Sequence, residues 1–146
     1  PAYMRMLSVE LTGERGPWAT LLGPESEYVH LRRLMNINGE FDVYSEIYLS
    51  GARFRVLAGM DLHELEGASI RDLLADRFKA PTLKVDQTFR CAVLPPRVCR
   101  ELGVMHGTAG IVWEICGRSY RDMPITYQRA YVPPVDRPLQ VLDRFA

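Results

Sequence analysis

An Asn-Gly pair set between two alternating apolar runs restricts a chain's folding choices sharply. Here it is Asn38-Gly39, inside "LMNINGEFDVY". Both residues tolerate positive φ, which the tight turn of a β-hairpin demands. On the outgoing strand Val29, Leu31 and Arg33 alternate with His30 and Arg32. On the return strand Phe41, Val43, Ser45, Ile47 and Leu49 share one face, while Asp42, Tyr44, Glu46 and Tyr48 share the other. The spacing predicts a hairpin with one buried face.

Downstream, "GASIRDLLADRFKAP" predicts a helix. Ser69 is its N-cap, with Asp72 three residues on. Ile70, Leu73, Leu74 and Phe78 make an apolar stripe, and Pro81 stops it. "TLKVDQTFRCAVL" reads as a long amphipathic strand with Leu83, Val85, Phe89, Cys91 and Val93 on one face. "PPRVCRELG" has Pro at its start and Gly at its end, which suits a short helix. "EICGRSYRDMPITYQRAYVPP" predicts a second hairpin, turning at "RDM" and unusually rich in arginine and tyrosine. "YMRMLSVEL" fits a first strand, "TGERGPWATLLGPES" a loop with one helical turn at most, and "GMDLHELEG" an acidic, helical or turn-like, solvated connection. The order of these elements predicts an α+β domain, an antiparallel β-sheet with helices packed on one side.

The 146 residues suit one domain. Lys+Arg and Asp+Glu are 18 each, so the formal net charge is zero. A domain that holds DNA by its phosphates carries a basic excess or stripe; this one does not. Three cysteines at long spacings and three scattered histidines suggest neither a disulfide framework nor a metal site. No signal peptide or long apolar run is visible, so the expected compartment is the cytoplasm and no membrane partner is expected. A chain that begins at Pro1 is expected to be a fragment or a processed form. Nucleophile-elbow, P-loop and zinc-protease motifs are absent, and no cofactor is implied.

Candidate chemistry lies with a few charged side chains. Arg33 and Arg118 both stand near a strand end, and Glu46 lies on the return strand after Arg33. Ser69 opens a helix, where backbone N–H groups and the dipole favour an anion. Arg71 in the same first turn opposes that dipole, which suggests a ligand-facing role. Together they describe an anion pocket with one carboxylate for a hydroxyl or amine. Each has a structural alternative: cross-strand ion pairing for Arg33, Glu46 and Arg118, helix capping for Ser69, and sheet packing for Tyr127 and Tyr131.

The ordered run "YVHLRRLMNINGEFDVYSEIYLSG", "DLHELEGASIRDLLADRF", "VDQTFRCAVLPPRVCRELGV" and "AGIVWEICGRSYRDMPITYQRAYVPP" resembles the UTRA effector-binding domain of HutC-type GntR transcription regulators. The resemblance covers roughly residues 20–135, within the usual boundary error. It leaves 1–19 as a linker or divergent first strand and makes 20–146 the effector-binding domain. It implies a chorismate-lyase-like fold, a homodimer and a small-molecule pocket. That pocket would control DNA binding by a separate N-terminal winged-helix domain absent from this chain. By position it implies ligand roles for Arg33, Glu46, Ser69, Arg118 and Tyr131, with Arg33 and Glu46 on one half of a two-hairpin cradle and Arg118 and Tyr131 on the other. Met35 stands where many members that recognise phosphorylated sugars have a second arginine, Arg71 replaces a tyrosine, and Thr126 replaces a carboxylate. These departures count against a phospho-sugar effector, although Arg71 is placed to supply charge. The competing expectations are a lyase acting on a small aromatic carboxylate, with Arg33 or Arg118 as anchor and Glu46 as general acid, and a dimerisation module with an empty pocket.

Overall fold

The Asn38-Gly39 turn forms as its chemistry predicts. Both residues are left-handed, φ 55° and 73°, and the Glu40 N–H closes the turn on the Ile37 carbonyl at 2.9 Å. In the computed structural model, which describes residues 3–139, this turn joins β2 (Tyr28–Ile37) to β3 (Phe41–Ser50). The other strands are β1 (Tyr3–Thr12), β4 (Lys84–Val93), β5 (Ala109–Arg118) and β6 (Pro124–Val132). They make one sheet in the order β1-β2-β3-β6-β5-β4, antiparallel at every pairing. The helices are α1 (Pro17–Leu22), α2 (Gly51–Phe54), α3 (Leu62–Glu66), α4 (Ile70–Phe78) and α5 (Pro96–Leu102). Among the described residues no helix is long and apolar enough to cross a membrane.

The α+β class and the antiparallel sheet match the sequence expectation. The distribution of helices does not, because they cover both faces. One face presents Val29, Leu31, Ile47 and Leu49 to α2, α3 and α4, through Phe54, Leu65, Ile70 and Leu74. The opposite face meets α5 through Leu34, Tyr44, Val112 and Tyr131 against Val98 and Cys99. It also meets α1, where Trp18 packs with Tyr28, Tyr48 and Tyr127. With side chains alternating across a strand, a sheet apolar on both sides needs a layer on each. Each fully buried large side chain contributes about 1.5–3 kcal/mol.

Other elements also differ from the sequence reading. Residues 61–67 are not a solvated connection: Leu65 is fully buried, and the Glu66 carboxylate accepts the Met6 N–H at 2.8 Å, beside the register shift between Met6 and Ser8 in β1. The segment read as loop contains the six-residue α1. Strand β4 is amphipathic, but it lies at the sheet edge, and Leu83, Phe89 and Val93 are more than half exposed. Alternation records which side chains are apolar; it does not record whether a neighbouring layer arrives.

Gly51 starts α2 where the chain crosses the end of β2. A Cβ there would strike the Glu27 carbonyl, which is backbone and cannot swing aside. Gly51→Ala is expected to cost about 1–3 kcal/mol, the range for an overpacked site. The urea midpoint should fall at unchanged m-value, and an unchanged midpoint would refute the packing assigned here.

Candidate functional site

The register lays the candidate residues out in cross-strand rows. Arg33 pairs with Ser45, and Ser45 with Ala130. The next row on the same face is Leu31, Ile47, Gln128 and Ile115. The third runs through Thr126, Gly117 and Val85. Over these rows lies the start of α4, and a cavity of about 340 Å³ separates the two. All six strands contribute to its lining: Met4, Arg33, Ile47, Val85, Ile115 and Gln128 represent one each. The roof is Ala68, Ser69, Ile70, Arg71 and Leu74. Gly117 helps to make the space, since a Cβ there would collide with the Thr126 hydroxyl.

Arg33 is the unusual group in this cavity. Its Nε donates to Ser45 Oγ at a long 3.5 Å, and its Nη1 to the Met4 thioether at 3.2 Å. Both acceptors are neutral, and sulfur is a weak one. No carboxylate among the described residues lies within ion-pair distance of it. Burial alone pushes its guanidinium down to about 10, so it is still a cation at neutral pH. Ser45 Oγ also accepts from Gln128 Nε2 at 2.9 Å, which ties β2, β3 and β6 together at the cavity floor. Ser69 caps α4 as predicted, its Oγ accepting the Asp72 N–H at 3.3 Å. The N-terminal end of that helix therefore borders the cavity, where its dipole favours negative charge.

The structure brings Arg33, Ser69 and Arg71 together, with Thr126 and Gln128 beside them. It does not bring in Glu46, Arg118 or Tyr131, and the single cradle expected from sequence is corrected on this point. Glu46 pairs across strands with Arg32 and Arg129, so its side chain lies on the far face of the sheet from Arg33. Tyr131 is also on that far face, buried beneath α5 at 2% exposure, with its hydroxyl accepting from Arg129 at 3.0 Å. Arg118 pairs at the surface with Asp86 at 3.0 Å, and it donates to the Asp122 carbonyl at 3.2 Å. Such an ion pair is the structural alternative weighed for it.

Glu46 anchors a separate polar network. It is 3% exposed. Its Oε2 meets His30 Nε2 at 2.8 Å and accepts from the Tyr48 hydroxyl at 3.3 Å. Its Oε1 accepts from Arg97 of α5 at 2.8 Å. Tyr48 is sandwiched between His30, at 4.3 Å, and Trp18, at 3.8 Å. Burial alone would raise the Glu46 carboxyl; the hydrogen bond from His30 and the charge of Arg97 outweigh it and hold the group below its ordinary value. The network fastens α1 and α5 to the sheet.

Sequence reasoning missed Met4, Thr82 and Gln128 as lining residues, and His30 and Arg97 as the partners of Glu46. Gln128 carried one signal, a large polar residue sharing a strand face with Ala130 and Val132. Thr82 and Met4 carried none, since their role depends on long-range pairing. Among the described residues no group of His, Cys, Asp and Glu could hold a metal ion.

The UTRA domain model matches residues 5–135, which includes most of β1. No curated protein matches the sequence. Among solved structures, one described as the ligand-binding domain of a GntR-family transcriptional regulator from Bordetella bronchiseptica aligns with TM-score 0.82 at 22% identity, over 97% of this chain and 92% of that one. The C-terminal domain of Yurk from Bacillus subtilis gives 0.79 at 18%, over 88% of each chain. The effector domain of PhnF from Mycobacterium smegmatis gives 0.77 at 18%, over 91% and 81%. At these identities the likeness is one of fold.

The Glu46 network predicts an acid limb. A carboxyl lowered from its ordinary 4.5 in the folded state stabilises the fold fully above that value, and the contribution is lost as pH falls through the lowered native value. Glu46→Gln should cost about 1–3 kcal/mol at pH 7, less than breaking a fully buried pair because Arg97 is half exposed. It should also flatten the loss of stability below pH 4.5. Denaturation midpoints measured from pH 3 to 7 test both, and parallel profiles for the two proteins would refute the assignment.

Proposed function

This chain belongs to the UTRA domain family, and we propose that it is the effector-sensing part of a GntR-family transcription regulator of the HutC type. The effector is a small anion held in the cavity under α4. The observation that carries this reading is Arg33, a largely desolvated cation whose partners among the described residues are neutral, facing that cavity. An uncompensated buried charge is costly, and an anionic ligand offsets that cost when it binds. The N-terminal end of α4, which carries Arg71, adds to the favourable potential at the cavity roof.

In this reading the chain does not grip DNA itself, in keeping with its zero net charge. A separate winged-helix domain does so, in a cytoplasmic homodimer, and the effector shifts that domain between states because it binds them unequally. The lyase alternative needed Glu46 to act with Arg33 or Arg118 on one substrate; Arg118 is taken up by Asp86 at the surface. Arg33 and Glu46 project from opposite faces of the sheet, and among the described residues no carboxylate lines the Arg33 cavity, so that pairing has no support.

Calorimetric titration with small anions, inorganic phosphate and acetate among them, tests the proposal. Arg33→Gln should weaken the anions that bind by about tenfold or more, as expected for a lost charge-assisted hydrogen bond. Arg118→Ala should leave them unchanged. In the intact regulator, Arg33→Gln should also disconnect operator binding from the anion. Equal anion affinity in wild type and Arg33→Gln would overturn the assignment.

A further inference from the structure

We infer that the effector is a small organic acid with one anionic head on a compact apolar body, and neither a sugar phosphate nor an amine-bearing metabolite. The inference rests on the reading of the Arg33 cavity as an effector pocket and follows from what the cavity contains. Among the described residues its lining has two cationic side chains, Arg33 and Arg71, and no acid. A ligand ammonium would meet the Arg33 guanidinium, whose described partners are neutral, and like-charge contact is a barrier to binding as strong as any missing contact.

The neutral lining decides the rest. Beyond the Arg33 row the floor is Ile47, Gln128 and Ile115, then Thr126, Gly117 and Val85. Leu74 and Ile70 close it from above. Two of the polar side chains are partly engaged: Ser69 Oγ accepts from the Asp72 N–H and keeps its own O–H to donate, and the Gln128 amide donates to Ser45. That leaves the Ser69, Thr82 and Thr126 hydroxyls and the Gln128 carbonyl for a ligand, few for a body that presents a ring of hydroxyls. A pyranose ring presents several hydroxyls, and each one enclosed without a partner weakens binding. The branched side chains of Ile47, Val85 and Ile115 instead suit a hydrocarbon surface. The cavity, about 340 Å³, stands at the small end of the range for ligand sites, roughly 300–1,000 Å³.

The head binds at Arg33, and the body lies along the Ile47–Ile115 row. Titrate the full chain by calorimetry with butyrate, benzoate, inorganic phosphate, glucose 6-phosphate and glucosamine 6-phosphate, in wild type, Arg33→Gln and Ile115→Ala. At least one of butyrate and benzoate should bind tenfold or more tighter than either sugar phosphate. That affinity should fall about tenfold in Arg33→Gln. It should fall several-fold in Ile115→Ala, while inorganic phosphate, which has no body, is unaffected by Ile115→Ala. Sugar phosphates binding tighter, with full dependence on Arg33, would overturn the inference and leave the effector pocket standing. Acids whose binding ignores Ile115 would also overturn it. If no probe depends on Arg33, the pocket assignment falls and takes this inference with it.

Discussion

The pairing of β3 with β6 holds this domain together. Each strand belongs to its own hairpin, and the two meet along Tyr44↔Tyr131 through Leu49↔Thr126. The partners are about eighty residues apart in the chain, so closing that ladder costs loop entropy that local structure cannot offset. Once closed, it places Ser45 beside Gln128 on one face and Glu46 between Arg32 and Arg129 on the other. The cavity and the Glu46 network are thus products of a single register. A slip of one residue would exchange their faces.

Two environments, one on each face, make different uses of arginine. Arg97 meets a buried carboxylate at 2.8 Å and serves the architecture, clamping α5 to the sheet. Arg33 sits in a cavity with a hydroxyl and a thioether for company. Arg118, in a surface pair with Asp86, belongs with Arg97 in having a carboxylate partner. Residue type alone does not separate these roles. The separation comes from which group stands opposite, and that is set by pairing between distant segments.

Much of this was open to a reader of the sequence. The Asn38-Gly39 turn, the Ser69 cap and the Pro96 start of α5 are local signals, and all three hold. Even the split between Arg33 and Glu46 was within reach: counting back from Ile37↔Phe41 pairs Arg33 with Ser45 and Arg32 with Glu46. The placement of helices on both faces was not within reach, because α1 and α5 are short and their sheet contacts come from distant strands. Nor was the exposure of Phe89 and Val93, whose apolar face looks the same in sequence whether or not a layer covers it. The cavity was the hardest to foresee. Gly117 shapes it by having no side chain, and a search for reactive residues does not register a missing atom.

The positions of the two indoles have an optical consequence. Trp18 stacks on Tyr48 on the Glu46 face, and Trp113 stacks on Phe89 on the opposite face, in the cross-strand row that continues from Arg33, Ser45 and Ala130. One emitter is buried as the outer layer of the stack over Tyr48, and the other lies against the half-exposed Phe89. The protein therefore carries an intrinsic chromophore on each side of its sheet, and a change confined to one side has its own spectral channel.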